Sequence, residues 1–319
     1  MTIISRDKGR LDVILTKELN LPRNQIEQFI KQVGVRVNGK LIKKSGYKLE
    51  VGEVVEYEFK EASKSKEQYE VDFDVEILYE DDDILIVNKP PFVTIHSAPS
   101  VKEATLVDWL KKKGIRLSTI SGEERHGIVH RIDKETSGAL VIAKNNEAHQ
   151  NLSKQLENKS MGRYYLAIID LPLKEDIIVQ KPIGRNPKNR LKMDVISGGR
   201  ESKSAFCKLA LSKDKKKELI CAKLFTGRTH QIRVHLKSLS RHILADSLYG
   251  FKSQYSKIPR VMLHAYVLYL EHPRSGKSMR IVAPLFEDFR TLLHRYFNKG
   301  EIDEKIDSSY IIERCNALC

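Results

Sequence analysis

The stretch His126-Gly-Ile-Val-His-Arg-Ile-Asp-Lys-Glu-Thr-Ser-Gly138 constrains this chain most, because it crowds reactive and turn-forming side chains into one short run. Ile128 and Val129 are β-branched and predict a strand. Thr136-Ser-Gly138 predicts a turn, and Ala139-Leu-Val-Ile-Ala143 a buried strand. Asp133 is thereby expected in a tight strand-to-strand connection, with Arg131 two residues before it. Such a loop is either a polar turn whose Asp and Ser bond local backbone, or a reactive group carried on a rigid scaffold. The rest of the chain has to decide.

A length of 319 residues predicts two units. The balance of 56 Lys+Arg against 42 Asp+Glu gives a formal charge of +14, which favours an anionic partner such as nucleic acid or an acidic membrane surface. No apolar run reaches membrane-spanning length, and Met1-Thr-Ile-Ile-Ser-Arg-Asp-Lys8 lacks the apolar core of a signal peptide. A cytoplasmic protein without membrane association is expected. The four cysteines, 207, 221, 315 and 319, form neither a C-x-x-C pair nor a disulfide framework, and Cys315 and Cys319 are expected as free thiols.

Leu11, Ile14, Leu15 and Leu19 fall at helical spacing, as do Ile26, Phe29, Ile30 and Val33. Pro22 opens the second helix and Gly34 closes it. A hairpin follows around Asn38-Gly39, then a strand over 53–59. Cations on the outward positions, among them Arg10, Arg23, Arg36 and Lys40, make the surface of this unit basic. Helix, helix and Asn-Gly hairpin, with Arg10-Leu-Asp12, Leu21-Pro-Arg23 and Val37-Asn-Gly39, resemble the S4-type RNA-binding module. Phosphate contact would be its physical basis, with Arg23 and Lys40 assigned to substrate. Domain boundaries are expected at 1–60 for this module, 61–70 for a polar linker, 71–298 for a second domain and 299–319 for a capless tail.

In the second domain, Trp109 and Leu110 predict a short helix stopped by Gly114, and Asn145 caps a helix with Ala148, Leu152 and Leu156 on one face. Arg163-Tyr-Tyr-Leu-Ala167 opens a strand in which Arg163 and Tyr165 share one side, and one of the two tyrosines should face the chemistry. Thr229 is a plausible cap for a helix carrying Ile232, Leu236 and Leu239. Gly227 lets the chain turn, so that Arg228 projects near that helix N-terminus and could hold an anion.

Three chemistries compete. A metal hydrolase would use His126, His130 and Asp133, with His230 and His235 in reserve, but a spacing of four needs a helix, and Gly127-Ile-Val129 disfavours one. A non-catalytic RNA-binding protein accounts for the first unit, yet leaves Asp133 and Glu135 repelling phosphates in the middle of a basic surface. A carboxylate-centred enzyme acting on RNA, without metal or cofactor, uses Asp133 ionised beside Arg228, whose charge would lower the carboxyl pKa. It would extrude a base onto an aromatic ring such as Tyr165, and Arg131 could fill the gap left behind.

Five blocks in order, Asp81–Pro90, Arg125–Gly138, Arg163–Ala167, Thr226–Leu236 and Leu263–Ala265, resemble the RluA-type family of pseudouridine synthases. The resemblance runs through almost all of 75–290 and implies isomerisation of uridine to pseudouridine in RNA. It makes Asp133 the essential aspartate, either a nucleophile on the ribose or a base removing a ribose proton. Tyr165 becomes the ring stacked on the base, Arg228 the partner of the aspartate, and Arg131 the side chain that occupies the vacated stack. His130 and Thr136 of the same loop are assigned to substrate. The implied fold is α+β, a curved, mixed but mainly antiparallel sheet with flanking helices, preceded by the small RNA-binding domain. Large-subunit rRNA of the 23S type, free or in a pre-ribosomal particle, is the expected partner, tRNA the alternative, and a monomer without an obligate protein partner is expected. The chain departs from the family at Phe92 and Ala245, where glycine is usual, and at Arg163, where lysine is usual.

Overall fold

The computed structural model describes residues 2–19, 23–57, 69–98, 100–122, 125–250 and 258–318, so most of the expected linker lies outside the described residues. The chain divides into two compact units, Met1–Gln68 and Tyr69–Cys319.

The first unit runs β1 (Thr2–Ile4), β2 (Gly9–Arg10), α1 (Leu11–Leu19), α2 (Arg23–Gln32), β3 (Val35–Val37), β4 (Lys40–Ile42), β5 (Lys48–Leu49) and β6 (Val54–Glu56). Its main sheet has the order β1-β6-β3-β4, antiparallel throughout. Asn38 (φ 48°) and Gly39 (φ 80°) are both left-handed, as a type I′ turn requires. Leu11, Leu15, Ile26, Ile30 and Val55 fill the core. Arg10 belongs to the scaffold as well as the surface: its guanidinium grips the buried Asp12 carboxylate at 2.9 and 3.0 Å, which accounts for the Arg-Leu-Asp opening.

The second unit begins with β7 (Glu76–Glu80), β8 (Ile84–Lys89), α3 (Leu106–Lys112), β9 (Ser137–Ala143), α4 (Asn146–Asn158) and β10 (Gly162–Asp170). It continues through β11 (Ile177–Gln180), β12 (Ile183–Arg185), β13 (Met193–Val195), β14 (Lys203–Leu211), β15 (Lys217–Leu224), α5 (Gln231–Lys237) and β16 (His242–Ile243). Then come β17 (Leu263–Glu271), β18 (Ser278–Val282), α6 (Glu287–Tyr296), α7 (Lys299–Lys305) and α8 (Ser308–Ala317). The large sheet has the order β11-β14-β15-β10-β17-β9-β8-β7, with β16 on β10 and β18 on β17. Every pairing in it is antiparallel except β9 with β17, where Ser137 and Gly138 lie beside His264 and Ala265. The mixed, mainly antiparallel α+β architecture agrees with expectation.

All residues of β8, β9 and β10 are buried, as central strands covered on both faces should be. Alternation sends Leu85, Val87, Leu140 and Ile142 into one core, and Ile84, Ile86, Val141 and Ala143 into the other. Gly138 permits the close parallel approach: its φ is +116°, and a Cβ there would overlap the backbone of Ala265.

Local expectations hold at α3, which ends before Gly114, and at α4, where Asn145 accepts from Ala148 N at 2.9 Å. Three expectations are corrected. Residues 129–136 form no strand, so Asp133 sits in an irregular loop that runs into β9 rather than in a strand-to-strand turn. The residue before α5 is His230 in a left-handed conformation, not Thr229, and the turn is closed by the Gln231 side chain accepting from Arg228 N. The expected capless tail forms α7 and α8. Asp307 caps α8 by accepting from Ser309 and Tyr310, while Ile311 and Cys315 enter the core.

His264 ties the sheet to the loop. Its Nδ1 accepts from Ser137 Oγ at 2.8 Å and its Nε2 donates to the Ala283 carbonyl at 3.1 Å. Burial pushes its pKa down to about 3. The unfolded imidazole therefore binds a proton that the fold excludes, and stability is lost as pH falls below the ordinary value near 6.5. Between pH 6 and pH 5, the loss of unfolding free energy in urea titrations should be less steep for His264→Gln than for wild type, by about 1.4 kcal/mol per pH unit.

Candidate active site

The loop from Arg125 to Thr136 lies along the free edge of β9. Its own atoms satisfy that edge: Ala143 N donates to Gly127 O at 2.8 Å, Ile128 bridges Ile142, and Val141 N donates to His130 Nε2 at 3.1 Å. His130, expected among the substrate contacts, is thus bonded to the backbone of β9. Its ring is buried, its Nδ1 faces Arg163 Nη1, and burial together with the Arg163 charge pushes its pKa well down.

Residues 133–137 are then tied to several elements. Thr136 N donates to Asp133 O at 3.1 Å, closing the turn. Lys89, wholly buried at the end of β8, donates to Lys134 O, Val93 O and Pro90 O at 3.1, 2.9 and 2.7 Å. Burial, helped by Arg260, pushes its ammonium down to about 7, while three carbonyls take its three protons. Arg260, buried and paired with Asp288 of α6, reaches Glu135 O. Backbone bonds of this kind hold Asp133 in place while leaving its carboxylate one-fifth exposed.

The partner of that carboxylate is Arg233, not Arg228. Arg233 Nη1 donates to Asp133 Oδ2 at 3.3 Å, while Nε and Nη2 grip both oxygens of Asp246 at 2.7 Å. Burial opposes the Arg233 charge, but the bonds and fields of Asp246 and Asp133 outweigh it and raise its pKa. Arg228 precedes α5, and its Nε donates to Glu201 O at 3.0 Å. Arg233 lies inside α5, flanked by buried Ile232 and Val234, with Tyr249 under its guanidinium at 5.1 Å. A charge within an apolar helical run, followed by Asp246 in a turn, is the sequence signal that could have marked it.

His230 faces the other side of the carboxylate, with Nε2 4.0 Å from Asp133 Oδ2. Met193 N donates to Tyr249 Oη at 2.8 Å, so the hydroxyl is free to donate to His230 Nδ1 at 2.8 Å, which leaves the proton on Nε2. Burial lowers the His230 pKa despite Asp133.

Asp133, Arg131, Thr136, Tyr165, Arg228, His230 and Arg233 line one narrow cavity of about 60 Å³. Tyr165 reaches it from β10, buried among apolar neighbours, and burial raises the phenol pKa so that its proton is retained at neutral pH. Tyr164 points elsewhere, its hydroxyl donating to Asn316 of α8. Arg131 is exposed at the rim. Of the two first-unit residues, Lys40 is exposed at the start of β4, and the side chain of Arg23 lies outside the described residues. Among the described residues one group, Asp81, Asp83 and His272, brings metal-ligand atoms within 4.8 Å, but Arg274 already grips Asp83 at 2.6 and 2.7 Å and His272 bonds Asp81.

Phe92 (φ 67°) and Ala245 (φ 62°), the positions where the chain carries side chains in place of the usual glycine, are both left-handed. Ala245 immediately precedes the Asp246 that holds Arg233. Removing Arg233 would leave Asp246 buried without its counter-charge. Arg233→Met is expected to cost about 3–5 kcal/mol in denaturant unfolding, whereas Arg228→Gln should stay within about 1 kcal/mol of wild type.

Residues 83–238 match the family model described as RNA pseudouridylate synthase, and residues 9–55 match the S4 domain. An uncharacterized RNA pseudouridine synthase of Helicobacter pylori is 45% identical over 309 residues, 95% of this chain and 94% of the relative. The ribosomal large subunit pseudouridine synthase D of Nitrosomonas europaea is 37% identical over 231 residues, 70% of this chain and 66% of that protein. The structure of human RNA pseudouridylate synthase domain containing 1 superposes with a TM-score of 0.57 at 23% identity, over 72% of this chain and 94% of that one, a likeness of fold. With its amino-terminal S4 domain and the catalytic unit that follows, this chain belongs to the RNA pseudouridine synthase family of isomerases.

Proposed function

We propose that the enzyme converts uridine in large-subunit ribosomal RNA, with Asp133 as the reacting carboxylate. The observation that carries the assignment is the Asp133 carboxylate, held at a pocket wall against the buried Arg233 charge, beside a phenol that can meet a base. Large-subunit rRNA is supported by the similarity to synthase D and by the basic S4 unit, on which Arg36, Lys40, Lys43, Lys44 and Lys48 are all exposed.

The isomerisation breaks the bond from ribose C1′ to uracil N1, turns the base, and joins C1′ to C5. The C5 hydrogen is released as a proton and N1 gains one, so the reaction balances without redox chemistry. Asp133 serves it ionised, by attack on the ribose or by removal of a ribose proton. Arg233 holds the carboxylate in register. Tyr165 supplies a flat, protonated surface against the uracil. Arg131 fills the space left in the RNA stack.

Asp133→Asn keeps the size of the side chain and removes its charge. Release of tritium from RNA labelled at uridine C5 should fall by at least about a thousandfold, as for loss of a reacting group; a variant turning over at the wild-type rate would remove Asp133 from this role. Pseudouridine maps of cells with and without the protein should differ at positions in large-subunit RNA, and a difference confined to tRNA would overturn the substrate assignment. Deleting residues 1–60 should weaken RNA retention on filters and flatten its dependence on salt.

A further inference from the structure

The narrow cavity over Asp133 has a larger neighbour. A second cavity of about 490 Å³ adjoins it, sharing Arg131, Arg163, Leu224 and Gly227 as a common wall. That volume lies within the ~300–1,000 Å³ range of small-molecule sites. The slot beside Asp133, at about 60 Å³, is far below it. Asp133, Tyr165 and Arg233 line the slot and not the larger space.

The lining of this second cavity is one-sided in charge. Arg125, Arg131, Lys159, Arg163 and Lys223 all contribute, and among the described residues no Asp or Glu does. Arg125, Arg131 and Lys159 are exposed at its mouth. Lys223 is anchored to Asn316 Oδ1 at 2.7 Å, so the carboxy-terminal helix α8 props up that side. Between the cations the wall is apolar, with Ile128, Val129, Leu156, Met161 and Phe225. Gly162 makes room for Tyr269, whose hydroxyl and ring occupy the place a Cβ would take.

Arg163 is the residue that points to a ligand. It is 6% exposed, its Nη1 faces His130, and among the described residues its Nε has no hydrogen-bond partner. Its Nη2 lies beside Gly227, where even a Cβ would be 3.7 Å away. Nε and Nη2 form the edge of a guanidinium that grips an oxyanion with two parallel bonds. A buried charged donor without a partner is costly, and it becomes favourable when an anion arrives. An arginine here, where the family usually has lysine, supplies a fork in place of a point charge.

We infer that the second cavity is a subsite for the nucleotide next to the target uridine: Arg163, with Arg125 and Lys159 at the mouth, holds a phosphodiester, and the apolar wall receives the neighbouring base. This rests on the RNA substrate proposed above. The shared wall places the two subsites side by side, so one strand can enter both with Arg131 between them.

The test uses the full-length protein and large-subunit ribosomal RNA, tritiated at uridine C5, from cells lacking the gene. Arg125→Gln and Lys159→Gln should each raise KM by about tenfold with kcat retained. Each should also make the slope of log affinity against log salt shallower by roughly 0.7. Arg163→Gln should raise KM further, and Arg163→Lys should recover part of the loss, which a merely structural arginine would not predict if the thermal midpoints of the two variants are equal. Leu156→Trp fills the cavity without altering charge and should raise KM alone. Wild-type KM and salt slope in Arg125→Gln, Lys159→Gln and Leu156→Trp would overturn the subsite. Failure of wild type to release tritium would overturn the proposed substrate instead, and filter retention of the same RNA would still compare the variants.

Discussion

The guanidinium of Arg233 is the interaction on which the site depends. A buried cation is expensive to desolvate, and it is stable here because two carboxylates from different parts of the chain share it. Asp246 takes the two-pronged grip and is itself bonded by Leu248 N and Tyr249 N. Asp133 receives an N–H of Nη1. The reacting loop, helix α5 and the turn after β16 therefore meet at one charge, and none can shift without leaving a buried group unpaired.

Around that charge the loop is fixed by separate anchors of different chemistry. An ammonium from β8, a guanidinium paired to α6 and a neutral imidazole from β17 hold successive residues after Asp133. Their targets are backbone carbonyls and one hydroxyl, so the carboxylate itself is left for substrate. The blocks Asn88-Lys-Pro90 and Leu263-His-Ala265 thereby acquire a physical meaning: they supply the anchors rather than the reaction. The left-handed Phe92 lies in the turn whose Pro90 and Val93 carbonyls receive Lys89, and the left-handed Ala245 precedes the Asp246 that holds Arg233.

Much of the fold was legible in the sequence because it rests on short-range rules. A continuous apolar run marked β9, Asn145 marked α4, Gly114 ended α3, and Asn38-Gly39 turned the first hairpin. Asp133 and Tyr165 were legible through motif and alternation, and both reach the same cavity. The errors have a common cause. Arg228 was named as the partner of Asp133 and 299–319 was read as a tail, because each judgement depended on residues outside its own stretch: Arg233 with Asp246, and the strands β14 and β15 beneath α8.

The sequence by itself determined the kind of chemistry available, an RNA-directed unit ahead of a carboxylate loop, since composition, spacing and turn residues act locally. Only the tertiary structure decided which cation answers Asp133, which histidines are structural, and that a second basic cavity stands beside the first. Those outcomes are set by burial and by distances between residues up to a hundred or more positions apart, and no local pattern encodes them.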